Sequence, residues 1–180
     1  MAFDSIRSFR RINSEKALGD LLFVRQGKPR YIQVGFQGGA MEKIELYAFM
    51  TRFRYGVVSS VSMQGVPQSA LVGIATTSEL EIVFDTVQTS RKYSNLVRQP
   101  ACSFVVGWGG EQTIQLEGIA TQPTGDELKR FQEIYFTIWR DGPERLGWPG
   151  IAYFVVRPRW VRFSDFDENP PLIVEWKLTD

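Results

Sequence analysis

Apolar and polar positions alternate along most of the middle of the chain, and this two-residue period predicts β-strands. In residues 80–85, Leu80, Ile82 and Phe84 alternate against Glu81 and Asp85, so one face would be buried and the other exposed. The same alternation, bounded by turn residues, predicts strands over 56–62, 69–75, 80–85, 102–108, 113–120, 151–157 and 160–166. The chain is therefore expected to be mainly β.

Three segments follow the period of an α-helix instead. We predict helices over 42–53, over 90–99 up to Pro100, and from Thr124, where the sequence to Glu127 has the form of a capping box. Residues 141–150 are predicted to be a loop, and Pro158 is predicted to separate the last two strands. Because the strands follow one another as hairpins, we expect an antiparallel barrel with helices at its ends, not a parallel sheet.

The length of 180 residues indicates one principal domain. We predict an N-terminal extension over 1–40, the main domain over 41–168 and a C-terminal tail over 169–180. The extension is rich in basic residues, and two short strands are predicted in it, over 21–25 and 31–36. Its role stays open between an organelle transit peptide and a solvated extension or extra hairpin.

Composition excludes several classes of function. The chain has no histidine, which rules out Ser-His-Asp and Cys-His catalysis and His-containing zinc sites. Its single cysteine, Cys102, excludes an intrachain disulfide and a Cys-x-x-Cys site. A net charge of +1 gives no overall field toward nucleic acid or an anionic membrane, and no long apolar run is present. We expect a cytoplasmic protein without a metal site, in which a cofactor carries any chemistry.

The strongest local signal is the segment from Thr86 to Lys92, which joins a predicted strand to a predicted helix. Ser90 can cap the helix, and the first backbone N–H groups of a helix have no helical partner. Arg91 and Lys92 add two positive charges where the helix dipole is already positive. Such a set of donors suits a phosphate monoester. The alternative is an ordinary capped helix with two solvated basic residues.

The order of these motifs resembles the pyridoxamine 5′-phosphate oxidase-like, FMN-binding split-barrel family. The resemblance covers about residues 47–166. It is carried by Tyr55–Ser62, Gly65–Ser69, Phe84–Thr86, Ser90–Lys92, Asn95-Leu96, Gln99-Pro100, Glu111-Gln112 and Glu117-Gly118.

The resemblance implies a split barrel of the FMN-binding type with FMN as the cofactor. It implies that the element Ser90-Arg91-Lys92 holds the FMN phosphate, to which Thr86 of the preceding strand is expected to contribute. Asp85, next to Thr86, is also expected among the cofactor-binding residues. It also implies that Gln112 contacts the flavin, and that the strand residues Ser69, Ala70, Leu71 and Val72 run along the isoalloxazine ring. Proteins of this kind are typically homodimers with the flavin at the interface.

Departures from the family pattern bear on the substrate. Ser69 and Ile74 stand where pyridoxine-phosphate oxidases carry a phosphate-binding Arg and a Lys, and Ser164 is the nearest match to a flavin-contacting Trp. The family's C-terminal substrate motif also needs a histidine. We therefore expect an FMN-dependent oxidoreductase that acts on another small substrate, with NAD(P)H as a candidate electron donor, and no catalytic residue is assigned. The alternatives are a non-catalytic flavin-binding or sensor module and a deazaflavin-dependent reductase.

Overall fold

The computed structural model of the protein describes residues 30–33 and 41–178. The first half begins with β1 (Arg30–Gln33) and α1 (Lys43–Met50). Three strands follow, β2 (Tyr55–Val61), β3 (Pro67–Thr76) and β4 (Ile82–Val87), and then α2 (Arg91–Arg98). The second half contains β5 (Ala101–Val106), β6 (Gln112–Thr121), α3 (Gly125–Ile138), α4 (Gly142–Arg145), β7 (Ile151–Asp165) and β8 (Leu172–Lys177).

The strands form one sheet that closes on itself. Its order is β1-β8-β7-β4-β3-β2-β5-β6, and an additional pairing between β6 and β7 joins six of the strands into a closed barrel. Every pairing within the barrel is antiparallel. This confirms the predicted mainly β fold, an antiparallel split barrel with few helices. Each of these six strands thus has two neighbours, but β3 pairs with β4 only over 74–76, so the first part of β3 keeps one free edge.

Alternation along the strands fills the barrel. In β2 the side chains of Val58 and Ser60 are buried, whereas their neighbours are only partly covered. The interior contains stacked and tilted aromatic rings, with Phe84 next to both Phe104 and Phe154. Burying one such side chain contributes about 1.5–3 kcal/mol. A smaller apolar cluster lies outside the barrel, where Tyr135 of α3 packs against the sheet.

The last barrel strand is longer than expected. The prediction of two strands separated at Pro158 is wrong, because β7 is continuous from Ile151 to Asp165. Pro158 pairs with Gly118 at the point where the register between β6 and β7 shifts. At such an irregularity the missing N–H of proline does not interrupt the ladder. A Cβ on Gly118 would lie 2.4 Å from the main-chain oxygen of Arg157, so the close approach requires glycine here.

Strand β8 follows the Pro170-Pro171 pair, in a segment for which no strand is predicted. Ile173 and Val174 are adjacent and both buried, which means that the strand is covered on both faces and does not alternate. β8 pairs with β7, and β1 adds to its other side in parallel. β1 covers the first part of the strand predicted over 31–36, and the strand predicted over 21–25 lies outside the described residues.

The helices begin close to the predicted positions. α3 begins after Thr124, but the capping box predicted there does not form, because the Glu127 carboxylate instead binds Arg157 at 2.6 Å. Within the predicted loop 141–150, α4 is a short helix that sequence analysis did not identify. None of the helices described is long and apolar enough to span a membrane.

Candidate functional site

The junction between β4 and α2 has the geometry that its sequence predicts. Ser90 has an extended backbone and caps α2, and its Oγ accepts a hydrogen bond of 3.3 Å from the Tyr93 amide. Thr86 is buried near the end of β4, and its hydroxyl lies 2.9 Å from Ser90 Oγ. The strand end and the helix cap are therefore joined side chain to side chain. The prediction that Ser90 caps this helix is confirmed.

An open cavity of about 240 Å³ lies between the start of α2 and strands β2 and β3. It is lined by Ser60, Gln68, Ser69, Ala70, Ser90, Arg91 and Lys92. None of these lining residues is acidic, and two carry a positive charge. The side chains offer hydroxyl, amide, guanidinium and ammonium groups, all of which can donate hydrogen bonds to an anion.

A buried amide joins the helix to the barrel strands beneath this cavity. Asn95 of α2 is 7% exposed, and its Nδ2 donates to Ser60 Oγ at 3.1 Å and to Gln68 Oε1 at 3.0 Å. On the outer side, the hydroxyls of Ser59 and Ser69 lie 2.8 Å apart. The two bonds of Asn95 hold α2 against β2 and β3, and the contact between the serines joins the two strands to each other, so the walls of the cavity are held together.

Burial lowers the pKa of Lys92, and the negative charge of Asp85 opposes part of this change. A bound anion would favour the charged form of this lysine, which burial has deprived of water. The first N–H groups of a helix have no helical partner, and Arg91 and Lys92, which line the cavity, are the first two residues of α2. The arrangement can therefore bind a compact, doubly charged anion such as a phosphate monoester.

Five of the ten residues predicted to bind a cofactor line the cavity: Ser69, Ala70, Ser90, Arg91 and Lys92. Thr86 is connected to them through its contact with Ser90. The ligand contacts of all these residues stay predictions.

The other four predicted residues are not among those that line the cavity. Leu71 is 60% exposed on the outside of the barrel, and Val72 is buried in the core. The Gln112 side chain donates to Asp165 Oδ2 at 2.6 Å, and Asp85 binds Arg145 on the outer side of β4. Whether any of the four contacts a cofactor stays a prediction.

Ser60, Gln68 and Asn95 belong to the cavity or support it, and sequence analysis did not assign them to the site. A signal for Ser60 was present, since it is a polar residue at an inward-facing position of a strand, two residues after the buried Val58. The role of Asn95 depends on hydrogen bonds across 35 and 27 residues of sequence, which no local pattern indicates.

Comparison with known proteins agrees with this architecture. The sequence profile of the pyridoxamine 5′-phosphate oxidase family matches residues 43–165, which extend from α1 to the end of β7 and make up more than half of the chain. The chain belongs to the pyridoxamine 5′-phosphate oxidase family. No curated protein sequence matches it. The match contains the closed barrel and the whole cavity.

The names of solved structures similar to this chain mention different ligands. A haem-binding protein from Mycobacterium smegmatis is 17% identical with a TM-score of 0.61, over 70% of this chain and 55% of that one. This chain thus spans about half of that protein. A pyridoxamine 5′-phosphate oxidase-related, FMN-binding protein from Nostoc punctiforme is 15% identical with a TM-score of 0.59, over 76% and 89% of the two chains.

A third similar structure is a haem storage protein from Vibrio cholerae, 13% identical with a TM-score of 0.57, over 64% of this chain and 88% of that one. At such identities the similarity shows the fold alone. The barrel of the pyridoxamine 5′-phosphate oxidase family thus occurs in proteins with FMN-binding and haem-binding names, and the side chains of each protein must decide the ligand.

Proposed function

We propose that this protein binds FMN in the cavity between β3 and the start of α2 and acts as an oxidoreductase on a small substrate, with NADH or NADPH as electron donor. The observation that carries the proposal is the cavity itself. It joins a capped helix start with Arg91 and Lys92 to the edge of β3 at Ser69 and Ala70.

The residues present fit the phosphate end of FMN. A phosphate monoester carries a charge of about −1.5 to −2 at neutral pH, which Arg91 and Lys92 match. Ser90 and the free N–H groups of α2 add neutral donors. Each charge-assisted hydrogen bond contributes about 1.5–3 kcal/mol.

The ring would lie along β3, as the resemblance to the family implies. Ala70 presents only a methyl group to the cavity, which leaves room for a flat ring close to the main chain. The exposed main-chain groups of a strand can donate to and accept from the heteroatoms of such a ring.

Bound flavin would supply the redox chemistry by taking up and releasing a hydride or electrons. The protein would bind the phosphate, orient the ring against β3 and limit the access of water. The side chains that line the cavity include no carboxylate or other evident general base, so none is assigned a catalytic role. This composition also keeps open a flavin-binding module without turnover.

Haem suits these residues less well. Haem iron is held by His, Cys, Met or Tyr side chains, and the chain has no histidine. Cys102 is buried, and burial raises the pKa of its thiol to about 12, so it does not offer a thiolate. None of the residues that line the cavity is therefore an evident iron ligand, although similar structures include haem proteins.

A second copy of the chain would complete the site. Leu71 and Val105, both exposed, lie on either side of Val57 across β3, β2 and β5. These three residues form an apolar row on the outside of the barrel, next to the strand that borders the cavity. We propose that a homodimer covers this row and places the flavin near the interface.

An absorption spectrum of the purified protein, followed by mass identification of any released chromophore, tests the proposal. Flavin bands and released FMN support it, a Soret band indicates haem, and a different mass identifies a deazaflavin. Protein that is colourless and does not bind added FMN refutes it. Reduction of bound FMN by NADH or NADPH, with reoxidation by an added acceptor, separates an oxidoreductase from a binding module.

Arg91→Ala tests the assigned phosphate contact directly. We expect FMN to bind at least about tenfold more weakly, which corresponds to ~1.4 kcal/mol. Arg130→Ala, which removes an exposed arginine from α3, is the matched control and should leave the affinity unchanged. Flavin fluorescence titration measures both variants, and an unchanged affinity of Arg91→Ala would remove Arg91 from the site.

A further inference from the structure

A buried ionic cluster lies behind the turn between β4 and α2, on the outer side of β4. Arg145 Nη1 lies 3.0 Å from Asp85 Oδ2, and the side chains are only 15% and 12% exposed. The Tyr135 hydroxyl donates to Asp85 Oδ1 at 3.0 Å. Tyr153 faces the same carboxylate from the neighbouring position on β7. The cluster thus joins α3, α4, β4 and β7.

Charge, more than hydrogen-bond geometry, holds the two ions together. Although Arg145 and Asp85 are within contact distance, Asp85 Oδ2 and Arg145 Nε have no partner with hydrogen-bond geometry in the described part of the chain. Burial raises the pKa of the Tyr153 hydroxyl to about 12. Burial, together with the negative charge of Asp85, also raises the pKa of the Tyr135 hydroxyl, so both phenols stay protonated. Arg145 is therefore the cation that balances Asp85.

Asp85 is next to Thr86 in β4, and the two side chains point to opposite faces of the strand. Thr86 contacts the helix cap at the cavity, whereas Asp85 contacts α3 and α4. The same segment is held a second time beyond the strand, where the main-chain N–H of Gln88 donates to the Gly150 carbonyl at 2.8 Å. The turn that leads to Arg91 and Lys92 is thus anchored by the segment from α4 to β7.

The charge of Asp85 also reaches the cavity, since it opposes the effect of burial on the pKa of Lys92. An uncompensated carboxylate so close to the site would repel an anion. In a poorly hydrated environment this repulsion is much stronger than in water. Arg145 cancels it from the far side of the strand.

We propose that Arg145 supports the anion site by acting through Asp85: it neutralises the carboxylate that would otherwise weaken anion binding. The inference rests on the proposed function, because it concerns the same cavity. It changes the role expected for Asp85, from a cofactor contact to one half of a balancing ion pair.

Four variants and the wild-type protein test this by FMN titration: Arg145→Gln, Arg145→Lys, Asp85→Asn and the double variant Asp85→Asn/Arg145→Gln. We expect Arg145→Gln to bind FMN at least about fivefold more weakly, because the carboxylate is left unbalanced. Arg145→Lys keeps the charge and should stay within about twofold of the wild type. Asp85→Asn keeps an acceptor for Tyr135 and should bind equally well or more tightly.

The double variant removes both charges and should return to within about threefold of wild-type affinity. A purely structural role predicts the opposite pattern, in which Asp85→Asn and the double variant bind as weakly as Arg145→Gln. That pattern overturns the inference, as does equal binding by wild type and Arg145→Gln. If Arg145→Gln does not fold, the other variants decide: a loss of more than about threefold in Asp85→Asn or in the double variant overturns it.

The wild-type titration separates the two proposals. If the wild-type protein binds FMN but the affinities of the variants do not follow the expected order, the role of Arg145 is refuted and the FMN site stands. If wild-type protein does not bind FMN, the proposed function fails, and the same variants are titrated with inorganic phosphate. Phosphate binding in the expected order then supports the role of Arg145, and its absence overturns it.

Discussion

Replacing Asn95 with alanine should weaken the attachment of α2 to the barrel. Its amide makes two hydrogen bonds, at 3.1 and 3.0 Å, to side chains of β2 and β3. Two neutral hydrogen bonds contribute about 0.5–1.5 kcal/mol each, and a buried hydroxyl left without a partner costs about 1–3 kcal/mol. Ser60 is 2% exposed and meets that condition, whereas Gln68 is half-buried and can bind water. We therefore expect a loss of about 2–4 kcal/mol in the free energy of unfolding.

Urea denaturation followed by tryptophan fluorescence measures this loss. With a slope of about 2 kcal/mol per M, the midpoint should fall by about 1–2 M. Ser94→Ala is the matched control, because Ser94 is the exposed neighbour of Asn95 on the same helix, and it should change stability by less than about 0.5 kcal/mol. A loss in Asn95→Ala no larger than that of the control would refute the claim that this amide holds the cavity walls together.

Three further predictions concern the barrel, its outer surface and the lysine. Gly118→Ala should destabilise the protein by about 1–3 kcal/mol in thermal unfolding, because its Cβ would meet a main-chain oxygen of β7 at 2.4 Å; Gly109→Ala, with open space around it, should not. Leu71→Asp should shift the protein toward monomer in sedimentation, and Ile44→Asp, at an equally exposed residue of α1, should not; a monomeric wild type contradicts the dimer. Because burial lowers the pKa of Lys92 from 10.5, the unfolded chain binds more protons between the lowered value and 10.5, so stability without ligand should rise with pH there. FMN affinity should fall over the same interval as the charge is lost, and an affinity independent of pH would count against the contact.

Local sequence predicted the capped turn between β4 and α2 well, for a physical reason. Thr86, Ser90, Arg91 and Lys92 lie within seven residues, and a helix cap is formed by groups three residues apart. The cap therefore forms wherever the strand ends and the helix begins. The alternation that predicts strands is similarly local, and most barrel strands lie within a few residues of their predicted bounds.

Predictions were wrong where long-range pairing decides. Pro158 looks like a strand break in the sequence, but its partner Gly118 is 40 residues earlier and provides the irregularity that tolerates proline. β8 lacks alternation because both of its faces are covered. Such coverage depends on which elements lie above and below the strand, and neighbouring residues do not report it.

The sequence by itself determined the class of fold, the family and the capped turn that carries Arg91 and Lys92, because hydrophobic periods and helix caps depend on neighbouring residues. Tertiary structure decided which strands wall the cavity and which charges stand behind it. Asp85 and Arg145 are 60 residues apart along the chain, and they meet only because α3 and α4 pack against the outer side of β4. Charge balance in a buried site acts through space, so it follows from the order of strands and not from the order of residues.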